Sequence, residues 1–194
     1  MARKEELRRR QIIGAMAQCV ASEGIDGATM RKVAERTGAS TGFITYYYTN
    51  KKELMKETLG SAQEHTRERV QSWAGVESGL KFLEALFEVF VLARDPETLP
   101  WSFWLDYWAH ASREEELREA HADGTSYLRA DVEAAIAAGV ADGSLRADLE
   151  PGVAADFVMA LLNGIGVQSA LSQGDGFDAR AGEIARLALD FLRK

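Results

Sequence analysis

The sequence predicts an all-α fold, and three observations support this prediction. Every long segment repeats its apolar residues at helical spacing, and none alternates apolar and polar residues between turn signals as a half-buried strand would. Residues that cap helices stand before these segments, and glycine or proline follows several of them. Only three prolines occur in 194 residues, which leaves room for long uninterrupted helices. The pattern indicates about nine helices.

The first predicted helix covers about residues 4–23 and ends at Gly24, a residue typical of helix ends. Its inward face at helical spacing consists of Ile12, Ile13, Met16, Ala17 and Val20. Cys19 is the only cysteine in the chain, so an intrachain disulfide and a cysteine metal cluster are excluded. Its place in this helix predicts a small core residue.

Two short helices joined by a glycine turn are predicted between residues 29 and 48. Thr29 is a plausible cap for the first of them, and Gly38 tolerates the left-handed backbone of a tight turn. Ser40 is a good cap for the second. This arrangement is a helix-turn-helix, whose second helix enters the major groove of DNA with its N-terminal residues against base edges. Those residues are small in this chain, which allows close approach of the backbone.

The predicted helices after this motif are bounded by capping and breaking residues. Asn50 and Glu53 form a capping pair that opens a helix reaching about Trp73. The next helix covers about residues 80–93, and Asp95-Pro96 ends it. The remaining helices are opened by Pro100, by the capping pair Ser112 and Glu115, by Pro151 and by Asp178, with Gly143 ending the long helix that reaches about Ala141.

The charge is divided unevenly along the chain. The whole chain has a net charge of −7, yet residues 1–56 hold eleven lysines and arginines against six acidic residues. This N-terminal head, residues 1–56, therefore has a net charge of +5, and the rest of the chain has a net charge of −12. A basic head on an acidic body directs phosphate attraction to one end of the molecule. This distribution favours double-stranded DNA as the partner of the predicted motif.

The segment with the turn motif resembles the N-terminal domain of the tetracycline-repressor (TetR) family of bacterial regulators. The resemblance rests on Thr29 and Arg31, on the turn over residues 38–42, on the aromatic residues 46–48, and on residues 50–54 opening the next helix. It covers about residues 8–56, and beyond them only the helical layout is similar. Thr45 stands where the family usually has tyrosine, and Tyr48 where it usually has phenylalanine, so the family's base preference near Thr45 does not carry over.

The resemblance implies an N-terminal three-helix DNA-binding domain over residues 1–50 and a C-terminal helical effector-binding and dimerisation domain over residues 51–194. It implies base contacts from one set of residues and phosphate contacts from another. The first set is Thr41, Gly42, Phe43 and Thr45, and the second is Thr29, Arg31, Ser40, Tyr46, Tyr47 and Lys51.

Residues 100–110 concentrate three of the four tryptophans of the chain. On a helix, Trp101, Trp104, Leu105 and Trp108 share one face, while Phe103, Tyr107 and His110 share another. Such a helix either fills a core or lines a cavity for a flat or cationic small molecule, to which aromatic rings offer cation–π attraction. The C-terminal helices of the TetR family enclose an effector pocket. The pocket residues predicted on this basis are Phe87, Phe103, Trp104, Tyr107, Trp108 and His110.

The helix predicted from Pro151 to about Ser172 is apolar on more than one face. Its Gly164 and Gly166 predict close approach of another backbone, because glycine inside a helix costs about 1 kcal/mol relative to alanine. The neighbour could lie within the chain. In the TetR family the last two helices instead pair with their twins as a dimer interface. The residues predicted for that interface are Phe157, Leu161, Ile165, Gln168, Ile184, Leu187 and Phe191.

Three patterns that resemble catalytic or cofactor motifs lack the features that such motifs require. Residues 38–42 fit the G-x-S-x-G pattern of serine hydrolases, but a helix rather than a strand is predicted before them. Gly164 and Gly166 lack the third glycine and the preceding strand of a dinucleotide site. The three histidines lack the Glu-x-x-His signature of a helical di-iron enzyme. No cofactor or metal is expected.

The predicted function is that of a homodimeric repressor that binds a pseudo-palindromic operator and is released by a small-molecule effector. We expect a cytoplasmic protein without membrane association, since no signal peptide is visible and the longest apolar run is short. Two alternatives stay open. One is an all-helical protein that binds a small molecule and has no operator, and the other is a helical-bundle enzyme.

Overall fold

The structure is a computed structural model that describes residues 2–74, 78–92, 99–172 and 176–193. Across these ranges the regular secondary structure is helical, apart from an isolated bridge between Leu145 and Arg193, which confirms the predicted all-α fold. The helices are α1 Ala2–Gly27, α2 Met30–Thr37, α3 Thr41–Tyr47, α4 Lys51–Ala74, α5 Gly79–Phe87, α6 Trp101–Ala111, α7 Glu115–Asp142, α8 Pro151–Leu171 and α9 Phe177–Leu192.

The helices form two compact units. The first consists of Met1–Gln63 and Ser102–Ala122, and the second of Glu64–Trp101 and Asp123–Lys194. The first unit therefore combines the N-terminal residues with most of α6 and the beginning of α7. The functional boundary predicted at residue 50 stays a prediction.

Gly24 interrupts α1 as the sequence predicts. Its φ of 75° and ψ of 170° are not helical, and one further turn then extends the element to Gly27. The predicted inward face is buried at Ile12, Met16, Ala17 and Val20, whereas Ile13 is half-buried. Cys19 is fully buried, which confirms its predicted place in the core.

Side-chain caps hold α2 and α3 where they were predicted. The Thr29 hydroxyl accepts a hydrogen bond from the Lys32 amide at 3.3 Å, and the Ser40 hydroxyl accepts one from the Phe43 amide at 3.1 Å. Gly38 has a φ of 67°, the left-handed conformation that a residue with a Cβ adopts only at a cost. The helix-turn-helix is therefore fixed by bonds between residues near each other in the chain.

Other predicted helix ends differ in detail. The Asn50 side chain accepts a hydrogen bond from the Glu53 amide at 2.9 Å, as predicted. The Glu53 side chain accepts one from the Thr49 amide at 2.7 Å, which is one residue before the Asn50 amide of a standard capping box. The capping pair predicted for Ser112 is wrong. Ser112 directly follows α6, and its hydroxyl donates back to the Ala109 carbonyl in the last turn of that helix, at 2.8 Å.

The other helix ends agree with the sequence more closely. Pro151 is the first residue of α8, as predicted, and the preceding Glu150 side chain caps that helix. Gly143, with a φ of 78°, follows the end of α7. Asp178 is not the cap of α9, because that helix begins at Phe177 and Gly176 precedes it. The predicted stop at Asp95-Pro96 lies outside the described residues.

The core of the second unit joins α5, α7, α8 and α9. Its fully buried residues include Leu83, Leu86, Val132, Val158 and Leu162. After Phe87 the helix widens into a π-helical turn over Glu88–Leu92, which ends the α5 geometry earlier than the predicted residue 93. α8 is long and apolar enough to cross a membrane by length and composition, but its buried face belongs to this core.

Two glycines of the second unit stand where another group comes very close. A Cβ at Gly79 would overlap the Ala135 carbonyl oxygen of α7 and lie 2.7 Å from the Gly139 amide nitrogen. A Cβ at Gly166 would overlap the indole ring of Trp101. The close neighbour of Gly166 is thus a side chain, whereas the sequence predicted the backbone of another segment. Gly164 has open space beside it, so the prediction of a close neighbour there is wrong for the single chain.

Candidate functional site

The second helix of the motif, α3, presents its first residues and one edge to solvent. Thr41, Gly42 and Thr45 are exposed, and Tyr46 is 80% exposed. Ile44 points the other way and is fully buried, which fixes the rotation of this short helix. The structure therefore brings together four of the residues predicted to meet DNA on one free surface.

Gly42 faces open space. A Cβ built on it would meet only the Ser40 hydroxyl, at 3.9 Å, so no neighbour within the protein requires a glycine there. A glycine in a helix costs about 1 kcal/mol relative to alanine. At the exposed start of α3, this open space allows a partner to approach the backbone closely.

The remaining predicted contact residues of the motif divide by burial. Phe43 and Tyr47 are half-buried, and their rings lie 5.1 Å apart. Thr29 and Ser40 are exposed although their hydroxyls cap helices, and Arg31 is exposed beside Glu35, 3.7 Å away. These side chains are open to solvent, and their contacts with phosphate stay a prediction.

Lys51 has a bond within the protein that the sequence did not reveal. Its ammonium donates to the carbonyl of Ile25, in the last turn of α1. An ammonium has three donors, so this bond leaves donors for a phosphate. The phosphate contact of Lys51 stays a prediction, and the residue also ties the start of α4 to the end of α1.

Arg9 is a residue of this region that sequence reasoning missed. Its guanidinium lies over the rings of Tyr47 and Tyr48, at 5.7 and 5.6 Å from their centres. The nearby Tyr48 side chain is the main cause that raises the pKa of Arg9. The run of three arginines was visible in the sequence, but nothing in it showed which one packs on α3.

The aromatic residues of α6 divide into buried and half-buried rings. Phe103 and Tyr107 are fully buried in the first unit, and the Tyr107 hydroxyl donates to the Leu117 carbonyl at 2.5 Å. Burial raises the pKa of Tyr107 to about 12. Trp104 and Trp108 are half-buried, with ring centres 6.4 Å apart.

His121 of α7 joins this aromatic cluster, which sequence reasoning did not predict. Its ring centre lies 5.9 Å from that of Tyr107 and 6.3 Å from that of Trp108. Burial lowers the pKa of His121, which favours the neutral ring at neutral pH. Phe87, also predicted for the pocket, is buried in the core of the second unit.

His110 is engaged at both ring nitrogens. Nδ1 lies 2.9 Å from the Asp106 carbonyl oxygen, and Nε2 lies 3.3 Å from an Asp26 carboxylate oxygen. The hydrogen bond to the Asp106 backbone is the largest of the causes that raise the pKa of His110. Its contact with an effector stays a prediction.

A stripe of apolar residues on α8 and α9 is open to solvent in the single chain. Phe157, Leu187 and Phe191 are exposed, Leu187 at 69%, and the two phenylalanine rings lie 5.7 Å apart. Gln168 is also exposed, and Ile184 is half-buried. Of the other residues predicted for an interface, Leu161 is half-buried against the core, and Ile165 lies inside the protomer at 3% exposure.

Comparisons with known proteins agree with this geometry. Residues 12–58 match the family model of bacterial regulatory proteins of the tetR family, and residues 81–194 match the C-terminal model of BetI-type transcriptional repressors. The HTH-type transcriptional regulator BetI of Paraburkholderia phymatum is 28% identical over 193 residues, which cover 96% of this chain and 92% of that protein.

Solved structures show the same fold. A TetR-family regulator from Rhodococcus sp., described as putative, superimposes with a TM-score of 0.81 at 25% identity, covering 96% of this chain and 98% of that one. A regulator from Saccharomonospora viridis, described as putative and solved in complex with choline, superimposes with a TM-score of 0.82 at 20% identity, covering 96% and 95%. Both have the helical layout described above.

Proposed function

Because the chain belongs to the TetR family of bacterial regulatory proteins, with a BetI-type C-terminal part, we propose that it is a homodimeric repressor released from its operator by a small organic cation. The observation that carries the DNA-binding part is the free face of α3, with Gly42 unshielded at its N-terminal end. The protein is a DNA-binding transcriptional regulator, and such regulators act in the cytoplasm. No enzymatic activity is part of this proposal.

Base contacts come from Thr41, Gly42, Phe43 and Thr45 in this proposal. A second set of residues positions the head on phosphates, and it consists of Thr29, Arg31, Ser40, Tyr46, Tyr47 and Lys51. A helix of seven residues reads few bases, so specificity requires two heads on a pseudo-palindromic site. Bound effector favours a spacing of the heads other than the 34–36 Å or so between successive major grooves, which releases the operator.

The apolar stripe on α8 and α9 is the surface that we propose for the dimer. Large apolar side chains that stand together in solvent mark interaction sites on soluble proteins. Phe157 and Phe191 contact each other, and the guanidinium of Arg146 lies 5.0 Å from the ring centre of Phe191 at the edge of the stripe. Because a two-fold interface uses the same patch on both chains, one apolar stripe on each chain is enough to form the proposed dimer.

A cation is the effector class that the aromatic cluster supports. Trp104, Trp108 and a neutral His121 offer ring faces without adding a positive charge. A cation over such faces gains about 0.5–2 kcal/mol per ring, more when it is desolvated. The Saccharomonospora viridis regulator was solved with choline, which is a quaternary ammonium ion. We propose that this chain binds an ion of the same class.

Replacing Gly42 by alanine should weaken operator binding at least about tenfold, because the added methyl group occupies the surface that meets DNA. Stability should stay the same or rise by up to about 1 kcal/mol, since the methyl has open space and alanine favours the helix. Operator duplexes selected from random DNA, fluorescence anisotropy and thermal melting measure these effects.

Gly60→Ala is the matched control for this substitution. Gly60 also has open space around it, but it lies in the middle of α4. It should gain the same stability and keep full operator affinity. If Gly42→Ala bound the operator as tightly as the unchanged protein, the assignment of α3 as the base-reading helix would be wrong.

Replacing Trp104 by alanine should weaken choline binding about tenfold or more, since one cation–π contact contributes up to about 2 kcal/mol. Operator affinity without choline should change little, because Trp104 is half-buried and does not belong to the DNA surface. Calorimetry with choline and anisotropy with the operator measure the two effects. Trp104→Phe keeps a ring and should retain part of the affinity.

The competing role for Trp104 is that of a packing residue. In that case the alanine variant should lose about 3–5 kcal/mol of stability, and operator and choline binding should fall together. Selection from random duplex DNA also separates the proposed function from the two alternatives. Neither a sequestering protein without an operator nor a helical-bundle enzyme would enrich a palindrome.

A further inference from the structure

The last turn of α1, residues 24–27, is held from several sides. The Ile25 amide donates to the Asp106 carboxylate of α6, and the Ile25 carbonyl accepts from the Lys51 ammonium of α4. The Lys32 ammonium of α2 donates to the Gly27 carbonyl at 2.9 Å. Since α2 begins only three residues after Gly27, the orientation of this turn constrains the helix-turn-helix.

His110 adds a link between α6 and the same turn. Its Nε2 faces the carboxylate of Asp26, and its Nδ1 faces the backbone carbonyl of Asp106. Both of these partners are acceptors. A neutral imidazole has one N–H and can donate to one of them, whereas the imidazolium donates to both. Both contacts are therefore hydrogen bonds at the same time only when the ring is protonated.

The charges around His110 favour that protonated form. Asp26 faces it from α1, and the Asp106 carboxylate lies 3.6 Å from Nδ1 on its own helix. Two cations also bind this turn, Lys51 of α4 at the Ile25 carbonyl and Lys32 of α2 at the Gly27 carbonyl. His110 also stands in the last turn of α6, where the helix dipole favours a cation.

We propose that His110 is a positioning residue for the DNA-binding head, and that its protonation joins α6 to the turn carrying the helix-turn-helix, so that operator affinity rises as the pH falls. The inference rests on operator binding and adds a proton as a second input beside the effector. The protonated ring holds the turn through Asp26, in addition to the bond from Ile25 to Asp106. A restrained turn presents α3 to DNA at a smaller entropic cost.

The pH range in which this link is present follows from the raised pKa of His110, caused first by its bond to the Asp106 backbone. The folded protein holds this proton more tightly than the unfolded chain, whose histidine has the ordinary pKa of 6.5. The link is therefore fully present below that value and is lost as the pH rises through the raised value.

The test measures operator affinity from about pH 6 to pH 8 at constant ionic strength, together with the NMR titration of the His110 ring. We expect the unchanged protein to lose several-fold in affinity across this range, up to the tenfold per pH unit that one coupled proton allows. His110→Gln should remove most of this dependence, since glutamine does not titrate. Asp26→Asn should move it to lower pH without affecting folding, because Asp26 is 95% exposed.

His65→Gln is the control, since it removes another histidine, in the α4 part of the second unit, and should leave the pH dependence unchanged. Equal pH dependence in the unchanged protein and the His110→Gln variant would overturn the proposal. So would a variant that changes the pH dependence of melting but not that of operator affinity, since His110 would then affect stability alone. A protein that selects no duplex at any pH would contradict the proposed function instead.

Discussion

Replacing Gly79 by alanine should destabilise the protein by about 3 kcal/mol or more and lower its melting temperature by about 10 °C. The added Cβ would overlap the Ala135 carbonyl oxygen and stand 2.7 Å from the Gly139 amide nitrogen. Both neighbours are backbone atoms of α7, so no side chain can turn away to make room. Relief requires the start of α5 to move away from α7.

Thermal melting of the purified variant measures this effect, and Gly60→Ala provides the comparison. The same methyl group at Gly60 enters open space and should raise the melting temperature slightly. A Gly79→Ala protein that melts within a degree or two of the unchanged protein would show that α5 and α7 do not pack as closely as described.

Replacing Leu187 by glutamate should split the dimer and lower operator affinity by about two orders of magnitude or more, because two linked heads bind far more tightly than one. In the proposed two-fold interface, the new charge would be buried twice, once from each chain. Leu187 is 69% exposed in the single chain, so the fold of the protomer should not suffer. Sedimentation and operator anisotropy measure the two effects.

Leu7→Glu is the control for assembly, since Leu7 is a similarly exposed leucine on α1. It should leave the dimer intact. Leu161 is a poorer position for this test, because it packs against the core of the second unit and a charge there would unfold the protomer. An unchanged dimer in the Leu187→Glu protein would place the interface on another surface.

Local signals explain why the head could be predicted closely. Thr29, Gly38 and Ser40 act on amides or backbone angles within three residues of themselves, and all three behave as predicted. The capping pair at Ser112 failed for a local reason too, since the hydroxyl had a competing acceptor in the turn before it. A capping motif predicts a helix start well when its side chain has one hydrogen-bond partner within reach, and poorly when a second partner competes.

Long-range contacts explain what the sequence could not predict. The hydrogen bond from the Ile25 amide to the Asp106 carboxylate joins residues 81 positions apart, and the edge-to-face contact of His121 with Trp108 depends on how α6 packs against α7. Gly166 was predicted to face a close neighbour, but its neighbour proved to be the ring of Trp101, far away in the chain. Periodicity indicates which face of a helix is buried, and not which residue covers it.

The discontinuous first unit limits how the head of this regulator can be transplanted. A chimeric sensor cut after residue 63 would carry the whole helix-turn-helix but would leave residues 102–122 behind. The nearly buried Ile25 would then lose the carboxylate that accepts its amide proton, and Asp26 would lose its histidine. A graft that includes both segments of the unit should keep its operator specificity, whereas the shorter fragment should bind DNA weakly and be degraded readily by proteases.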